Sequence, residues 1–203
     1  RIHTVGSDCN CGKKVVAIEL DRELRRRGYS SRFVATGQSG IAVSGQGIAV
    51  DHVISDYVAG AAEQLVLEHG RDVDTVVLEG QGSILHPMYS GVTLSLLHGF
   101  MPQVLVLCHQ PDRTCMRGTS VPVPPLSTLI DLYESLCRPL FPSRVAGIAL
   151  NLMAYDDTDA VRLIQEIQSR TGRFTTDVVR YGAGALLDVI LNHRDAMDLE
   201  PKL

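Results

Sequence analysis

The sequence predicts an α/β domain with three layers and a mostly parallel central sheet. Short β-rich apolar runs alternate with helical patterns along most of the chain, which is typical of βαβ units. A glycine-containing loop that ends in Gly12 and Lys13 stands between the first predicted strand and the first predicted helix. The 203 residues suffice for one such domain, which we assign to residues 1–194, followed by a polar tail at 195–203.

The first elements follow in a regular order. RIHTV is the first strand, and the helix after the glycine loop covers roughly residues 12–27, with Gly28 as its stop signal. SRFVAT is the second strand. The glycine-rich stretch that follows, GQSGIAVSGQGIAV, is predicted as a β-hairpin or a mobile loop. The next helix is expected over about residues 56–68, with Asp56 as its N-cap.

Three further buried strands are predicted from the apolar runs DTVVLE, QVLVLCHQ and RVAGIALNLM. A short last strand is predicted from TTDVVRYG, before a helix over roughly residues 183–192. Glu79, His109 and Asn151 stand at the carboxyl ends of the three buried strands, on the same edge as the glycine loop. Because ligands of open parallel sheets bind outside this edge, we expect the functional site where these residues converge.

The composition is that of an ordinary soluble protein, with 45% hydrophobic and 21% charged residues. A formal net charge of −4 provides no broad basic surface, so a nucleic-acid partner is not expected. No apolar run approaches the roughly 20 residues that span a bilayer and no signal peptide is recognised, which favours a cytoplasmic location. The five cysteines are expected to be reduced. Because Arg1 enters a strand almost at once, we expect a preceding N-terminal domain.

The glycine loop has the residues of a phosphate-binding loop in an unusual arrangement. Its backbone N–H groups and the helix N-terminus would hold an anion, and Lys13 would reach phosphate oxygens. The usual pattern continues with Ser or Thr, whose hydroxyl binds Mg²⁺, but here Lys14 follows. The alternative is a glycine turn with two solvated lysines. We expect a P-loop NTPase-like fold whose cofactor-binding residues are Gly6, Ser7, Asp8, Cys9, Asn10, Cys11, Gly12, Lys13 and Lys14.

A second group of candidates surrounds the end of the strand DTVVLE. Glu79 is a candidate metal ligand or base, although a carboxylate there could instead cap the next helix. The GQG sequence after it lets the backbone approach a ligand closely, so Gln81 and Gly82 are predicted to bind substrate. His86 lies on the loop beyond. Arg113 offers a bidentate fork for a carboxylate or a phosphate.

Several motifs together resemble one protein family: VGSDCNCGKK, RFVATGQSGI, DYVAGAAE, VVLEGQGSILHPMYSGVTLSLLHG and LVLCHQPDR. This family comprises two-domain bacterial and archaeal P-loop proteins and was long catalogued as a domain of unknown function. Its functionally described members are D-glutamate N-acetyltransferases that use acetyl-CoA. The chain resembles their C-terminal P-loop domain, which agrees with the N-terminal domain expected above. The loop is also similar, more distantly, to the GTD…GK form of dethiobiotin synthetase-like proteins.

The resemblance implies a role for particular residues. It carries over Gly6, Asp8, Gly12 and Lys13 as the phosphate loop, and Glu79, Gly80 and Gly82 as the second motif. It also implies acyl transfer from acetyl-CoA to a small amino-acid substrate. For that reaction we expect no metal, because Lys14 would neutralise charge where Mg²⁺ otherwise sits. We expect Glu79 or His86 as the base, and Arg113 or Arg180 as the anchor of the substrate carboxylates. We also expect a homo-oligomer.

Two other functions remain open from the sequence. One is an ATP- and Mg²⁺-dependent ligase or kinase that activates a carboxylate, as in dethiobiotin synthetase. There Glu79 and an aspartate, Asp51 or Asp8, would have to bind the ion in place of the missing hydroxyl. The other is a nucleotide-sensing or scaffold domain without catalytic activity. The polar residues concentrated at the strand ends favour an enzyme over the sensing domain.

Overall fold

The computed structural model of the chain describes residues 1–196. Within that range, one sheet contains six strands in the order β2-β3-β1-β4-β5-β6. Every pairing in it is parallel, so the sheet is wholly parallel where the sequence predicted a mostly parallel one. The strands are β1 (Ile2–Gly6), β2 (Ser31–Val34), β3 (Thr75–Leu78), β4 (Val104–His109), β5 (Arg144–Leu150) and β6 (Phe174–Thr176).

Helices cover both faces of this sheet and produce three layers. On one face α1 and α8 bury residues such as Leu20 and Leu186 against Val106 of β4. On the other face α3, α4, α5 and α6 pack against side chains such as Leu78 and Leu107. The helices are α1 (Lys13–Arg26), α2 (Gln38–Ser44), α3 (Val58–His69), α4 (Ser90–Phe100), α5 (Leu126–Cys137), α6 (Asp157–Thr171), α7 (Val178–Tyr181) and α8 (Gly184–Ala196).

One predicted element was wrong and another was predicted too long. The stretch predicted as a hairpin or loop contains α2, a seven-residue helix that Gly45 ends in the left-handed conformation with φ 74°. TTDVVRYG does not continue as a strand, because β6 ends at Thr176 and the carboxylate of Asp177 caps α7. That carboxylate accepts hydrogen bonds from the amides of Val179 and Arg180, at 2.9 and 3.3 Å.

The predicted N-cap at Asp56 was also wrong. Asp56 lies inside a 3₁₀ turn, Ser55–Tyr57, and the residue that precedes α3 is Tyr57. The predicted polar tail begins within α8, and from residue 197 onward it lies outside the described residues. None of the described helices is long and apolar enough to cross a membrane. All five cysteines are free thiols.

The strand order places the candidate residues next to each other. β1 lies between β3 and β4, so the glycine loop after β1 is flanked by the segments that follow Leu78 and His109. A buried tyrosine fastens two of these segments. The hydroxyl of Tyr133 donates a hydrogen bond to the carbonyl of Gly6 at 2.8 Å and accepts one from the amide of Ile84 at 3.1 Å. Tyr133 of α5 therefore connects two segments at the carboxyl edge of the sheet.

Candidate functional site

The loop between β1 and α1 has the backbone of an anion-binding loop. Gly12 precedes the helix with φ 109° and Asn10 has φ 52°, and both values are in the left-handed region. Gly12 can adopt this conformation without strain because it has no Cβ. The 14-residue helix α1 begins directly after it, so the unpaired N–H groups of its first turn face the loop. This arrangement suits a phosphate group.

Lys13 is buried and its ammonium curls back into the loop. The Nζ atom donates a hydrogen bond to the carbonyl of Asp8 at 2.7 Å and lies 3.6 Å from Sγ of Cys11. Two glycines leave room for this side chain. A Cβ at Gly6 would lie 2.7 Å from Nζ, and one at Gly80 would lie 3.1 Å from Cδ. The loop therefore holds a positive charge in a fixed position at its centre.

The carboxylate of Asp8 organises the outer side of the loop. It is buried and accepts hydrogen bonds from the guanidinium of Arg113 at 2.7 Å, the amide of Arg117 at 2.8 Å and the amide of Cys9 at 2.7 Å. Burial raises the pKa of Asp8, but these donors more than compensate and the net pKa is below its ordinary value. Asp8 is thus ionised and connects the glycine loop to the segment after β4.

Arg113 and Arg180, the two predicted substrate anchors, lie in ion pairs within the protein. Arg113 binds Asp8 and also donates to the carbonyl of Cys9 and the side chain of Gln110. Arg180 donates to the carbonyl of Leu152 at 3.0 Å and pairs with acidic side chains near α7. Neither side chain lines the cleft described below. Their structural contacts fasten loops at the edge of the sheet.

His86 is fully buried beside the loop. Its Nδ1 atom accepts a hydrogen bond from the amide of Met88 at 3.2 Å, so the ring proton is on Nε2, which donates to the carbonyl of Arg117 at 3.1 Å. The ring also contacts Tyr89, with 4.6 Å between centroids. Both ring nitrogens are therefore engaged, and His86 supports the loops around it.

Asp8, Cys9 and His86 place one oxygen, one sulfur and one nitrogen within 4.8 Å of each other, a set that could hold a metal ion. The same atoms already have partners, however. Arg113 supplies a positive charge to Asp8, and Nε2 of His86 carries the proton that it donates to Arg117. A cation there would have to displace these donors, so the cluster is better described as a hydrogen-bond network.

Ser7 faces away from the cleft towards β4. Its hydroxyl lies 2.8 Å from Nδ1 of His109, and both residues are largely buried. Burial lowers the pKa of His109 to about 4, with a further lowering from Arg113, so this imidazole is neutral at pH 7. Ser7 therefore connects the start of the glycine loop to the neighbouring strand.

Glu79 follows β3 and lies at the floor of the cleft. Its Oε2 atom accepts hydrogen bonds from the amides of Thr36 and Gly37, at 3.0 and 3.2 Å. These amides precede α2, so the carboxylate does not cap the helix that follows it in the sequence. Burial raises the pKa of Glu79, and the two amides together with Lys14 and Lys13 oppose that rise. A fixed, buried carboxylate with a raised pKa is a candidate base.

Lys14 spans the mouth of the cleft. Its Nζ atom donates a hydrogen bond to the hydroxyl of Ser39 in α2 at 2.7 Å. Its positive charge acts on Glu79, because it is one of the charges that oppose the raised pKa of that carboxyl. The residue that replaces the usual Ser or Thr thus lines the same cleft as the acidic residue after β3.

Together these residues surround a cleft of about 750 Å³. Of the predicted residues, the cleft brings together part of the glycine loop with Glu79, Gln81 and Gly82. The predicted residues that do not line it are Gly6, Ser7, Asp8, Cys11, His86, Arg113 and Arg180. Sequence reasoning missed the wall formed by the start of α2, whose only signal was the glycine-rich run. The lining residues are Cys9, Asn10, Gly12, Lys13, Lys14, Val15, Thr36, Gly37, Gln38, Ser39, Val50, Asp51, Glu79, Gly80, Gln81, Gly82, Tyr89, Val92 and Asn151.

Comparison with known proteins agrees with this architecture. Residues 1–187 match the model of the DUF1611 family. That model is described as a domain of unknown function (DUF1611_C), P-loop domain. A protein from Tritonibacter scottomollicae named D-glutamate N-acetyltransferase is 41% identical over 192 residues. The match covers 94% of this chain and 57% of that relative.

Two solved structures show the fold. A DUF1611 family protein from Anabaena variabilis superposes with a TM-score of 0.92 at 41% identity, over 95% of this chain and 57% of that one. Cobyrinic acid a,c-diamide synthase from Mycobacterium smegmatis, solved with ADP and magnesium, has a TM-score of 0.61 at 12% identity, over 100% of this chain and 98% of that one. The second likeness shows that the fold is that of P-loop nucleotide-binding proteins. The family match, the first relative and the first structure agree, and this chain belongs to the DUF1611 family as its P-loop domain.

Proposed function

We propose that this domain binds the phosphates of acetyl-CoA and takes part in N-acetyl transfer to an acidic amino acid of the D-glutamate type. The observation that carries the proposal is Lys14, which follows Gly12 and Lys13 where a phosphoryl-transfer enzyme has a Ser or Thr hydroxyl for Mg²⁺, and which lines the same cleft as Glu79. An ammonium can offset the charge of a bound phosphate, but it lacks the second charge and the octahedral geometry of the ion. The similarity to proteins named D-glutamate N-acetyltransferase supports the same reaction.

The residues present fit a phosphate-bearing cofactor. The N-terminus of α1, the ammonium of Lys13 and the left-handed Gly12 form the anion site, and the cleft beside them is of the size found for small-molecule sites. Coenzyme A has a pyrophosphate and a further phosphate that such a loop can bind without cleaving them. Gln81 and Gly82 line the same cleft, where we propose that they contact the substrate.

The reaction requires a base. The substrate ammonium must lose a proton before its nitrogen bonds to the acetyl carbon, while the bond from that carbon to sulfur breaks and the thiol leaves with a proton. We assign the base to Glu79, because its carboxylate lines the cleft, is oriented by two amides and has a raised pKa. His86, the other predicted base, would first have to exchange both of its hydrogen bonds.

A second function is favoured by a specific feature of the cleft. The carboxylates of Glu79 and Asp51 both line it, and oxygen ligands of this kind are those that Mg²⁺ prefers. Activation of a carboxylate by ATP and Mg²⁺ would use them as ligands. The chain spans 57% of the curated relatives it matches, so we propose that a further domain contributes to the active protein. Self-association is a separate proposal, carried over from the sequence. Experiments should therefore use the full-length protein.

The test compares cofactors and metal in the full-length protein. We expect N-acetylation of D-glutamate with acetyl-CoA to survive EDTA, and acetyl-CoA or CoA to raise the melting temperature more than ATP with Mg²⁺. Lys13→Ala should weaken cofactor binding severely, because the loop loses its central charge. Lys14→Thr should reduce cofactor affinity and confer little ATPase activity, whereas the control Lys14→Arg keeps the charge. Strict Mg²⁺ dependence, or ADP released in step with product, would instead establish the ligase reaction.

A further inference from the structure

One arginine beside the glycine loop has no side-chain partner. The guanidinium of Arg117 forms neither a hydrogen bond nor an ion pair with any residue in the range 1–193, where side chains are described, and the residue is exposed. The other cations at this edge are occupied within the protein: Lys13 binds the carbonyl of Asp8, Lys14 binds Ser39, and Arg113 binds the carboxylate of Asp8. An anion that reaches this edge therefore finds Arg117 as an unoccupied cation.

The backbone of Arg117 is nevertheless fixed to the site. Its amide donates to the carboxylate of Asp8 at 2.8 Å, and its carbonyl accepts from Nε2 of His86 at 3.1 Å. The two partner side chains are both fully buried, at 0% exposure. The carboxylate of Asp8 pairs with the guanidinium of Arg113 and accepts a hydrogen bond from the backbone amide of Arg117. The guanidinium of Arg117 takes no part in these contacts. The residue is thus held in place without losing its charge to a neighbour.

A short β-ribbon over residues 114–123 gives Arg117 further support. Cys115 and Pro122 form an antiparallel bridge, and the amide of Met116 donates to the carbonyl of Val121 at 2.8 Å. Met116 is buried and Gly118 makes the turn with φ 75°. A surface arginine on a free loop would lose entropy when it binds an anion, but this backbone is already ordered.

We propose that Arg117 binds a carboxylate of the acidic amino-acid substrate. Its planar guanidinium matches a carboxylate in a bidentate pair. Arg117 does not itself line the cleft, but both partners of its backbone adjoin lining residues. Asp8 precedes Cys9 in the chain, and the ring of His86 contacts Tyr89. The assignment rests on the proposed acetyl transfer. A phosphate of the cofactor offers the same anionic chemistry, and the experiment separates the two sources.

The experiment measures binding and turnover of the full-length protein in parallel. Isothermal titration with D-glutamate alone and with acetyl-CoA alone is carried out on the wild type, Arg117→Gln and Arg117→Lys. A matched control, Arg138→Gln, removes an exposed arginine at the C-terminal end of α5. The hydrogen bonds at residue 117 are made by its backbone, so the melting temperature of Arg117→Gln should stay close to that of the wild type.

For Arg117→Gln we expect the dissociation constant and the KM for D-glutamate to rise roughly 10- to 100-fold, the loss typical of a charged hydrogen-bond pair. The dissociation constant and the KM for acetyl-CoA should change less than about twofold in the same variant. Arg117→Lys should recover part of the loss in D-glutamate binding, and Arg138→Gln should match the wild type. The preference for D-glutamate over D-glutamine should also shrink. Unchanged D-glutamate binding, weakened binding of acetyl-CoA instead, or no D-glutamate binding by the wild type would each overturn the assignment. Binding that depends on Arg117 without any acetyl transfer would refute only the proposed reaction.

Discussion

The two walls of the cleft are built in different ways. On the glycine-loop side, the ammonium of Lys13 and the carboxylate of Asp8 are buried and bound by partners within the protein. On the α2 side, the hydrogen bond between Lys14 and Ser39 is exposed, and the helix has only seven residues between Gly37 and Gly45. Glu79 connects the start of this wall to the interior through the amides of Thr36 and Gly37, and Gln81 adds a bond to the hydroxyl of Thr36.

This difference suggests that the two walls have different roles in ligand binding. Buried, mutually bound groups keep their geometry before a ligand arrives, which favours recognition of a charged group at a fixed position. A short helix held by few and exposed contacts opens at low free-energy cost, which favours adjustment around a ligand. Substitutions on the glycine-loop side should therefore reduce stability, whereas those on the α2 side should act mainly on ligand affinity.

The largest effect is expected at Gly80, beneath the glycine loop. A Cβ there would lie 1.7 Å from the carbonyl oxygen of Thr4, which belongs to the backbone of β1 and cannot move aside. Gly80→Ala should lower the free energy of unfolding by about 4 kcal/mol or more, measured by urea denaturation. Gly60→Ala in α3 is the control. A Cβ there meets nothing within 4 Å, so it should stabilise the protein by roughly 0.5–1 kcal/mol. Equal stability of both variants would contradict the tight packing below the loop.

The second effect is a loss of stability in acid. Burial lowers the pKa values of His3 and His109 to about 4, with further lowering from Lys13 and Arg113 respectively. In the unfolded chain their pKa is about 6.5, so between pH 6.5 and 4 the unfolded state binds more protons and stability falls as pH falls. From pH 7 to pH 5 we expect a loss of about 2 kcal/mol for each histidine.

Denaturation at the two pH values measures this loss. His109→Gln should remove about 2 kcal/mol of the pH dependence, because glutamine can still bond to Ser7 but does not titrate in this range. The control His52→Asn changes an exposed histidine of the α2 side and should leave the pH dependence as it is. A wild type equally stable at pH 7 and pH 5 would show that these imidazoles are not held neutral.

Asp8→Asn should have the third largest effect. The amide keeps the shape but removes the charge that pairs with Arg113, and its NH₂ group cannot accept the bonds that Asp8 receives. We expect a loss of about 2 kcal/mol in the free energy of unfolding. We also expect weaker acetyl-CoA binding, since the loop loses its connection to the segment after β4. Asp51→Asn, an exposed carboxylate of the opposite wall, should change stability by less than about 0.5 kcal/mol. If Asp51→Asn reduced stability more than Asp8→Asn, the α2 side would be the more firmly held wall of the cleft.

The sequence predicted what depends on local pattern. Apolar runs located the buried strands, and the order strand, glycine loop, helix located the loop before α1 and the helix that begins at Lys13. It did not predict α2, because a helix of seven residues with a glycine inside it has little intrinsic stability. The contact between Arg113 and Asp8 joins residues 105 positions apart, so it depends on the tertiary fold and cannot be predicted from a short motif. The guanidinium of Arg113, which was predicted to bind substrate, therefore forms an ion pair with Asp8 instead.

The smallest effect is expected at Ser39, and it tests the α2 side directly. Its hydroxyl accepts an exposed hydrogen bond from Lys14, a contact that water can replace. Ser39→Ala should thus change the free energy of unfolding by less than about 0.5 kcal/mol. Because Lys14 then loses its partner within the protein, acetyl-CoA affinity should stay equal or rise by up to about threefold, measured by titration calorimetry. The control Ser44→Ala removes a hydroxyl that lies 3.0 Å from the carbonyl oxygen of Gly40 inside α2 and 2.7 Å from that of Gln46, just beyond its C-cap. It should cost about 1 kcal/mol. If Ser39→Ala costs as much as Ser44→Ala, the contact of Lys14 is structural, and the α2 side is as firmly built as the loop it faces.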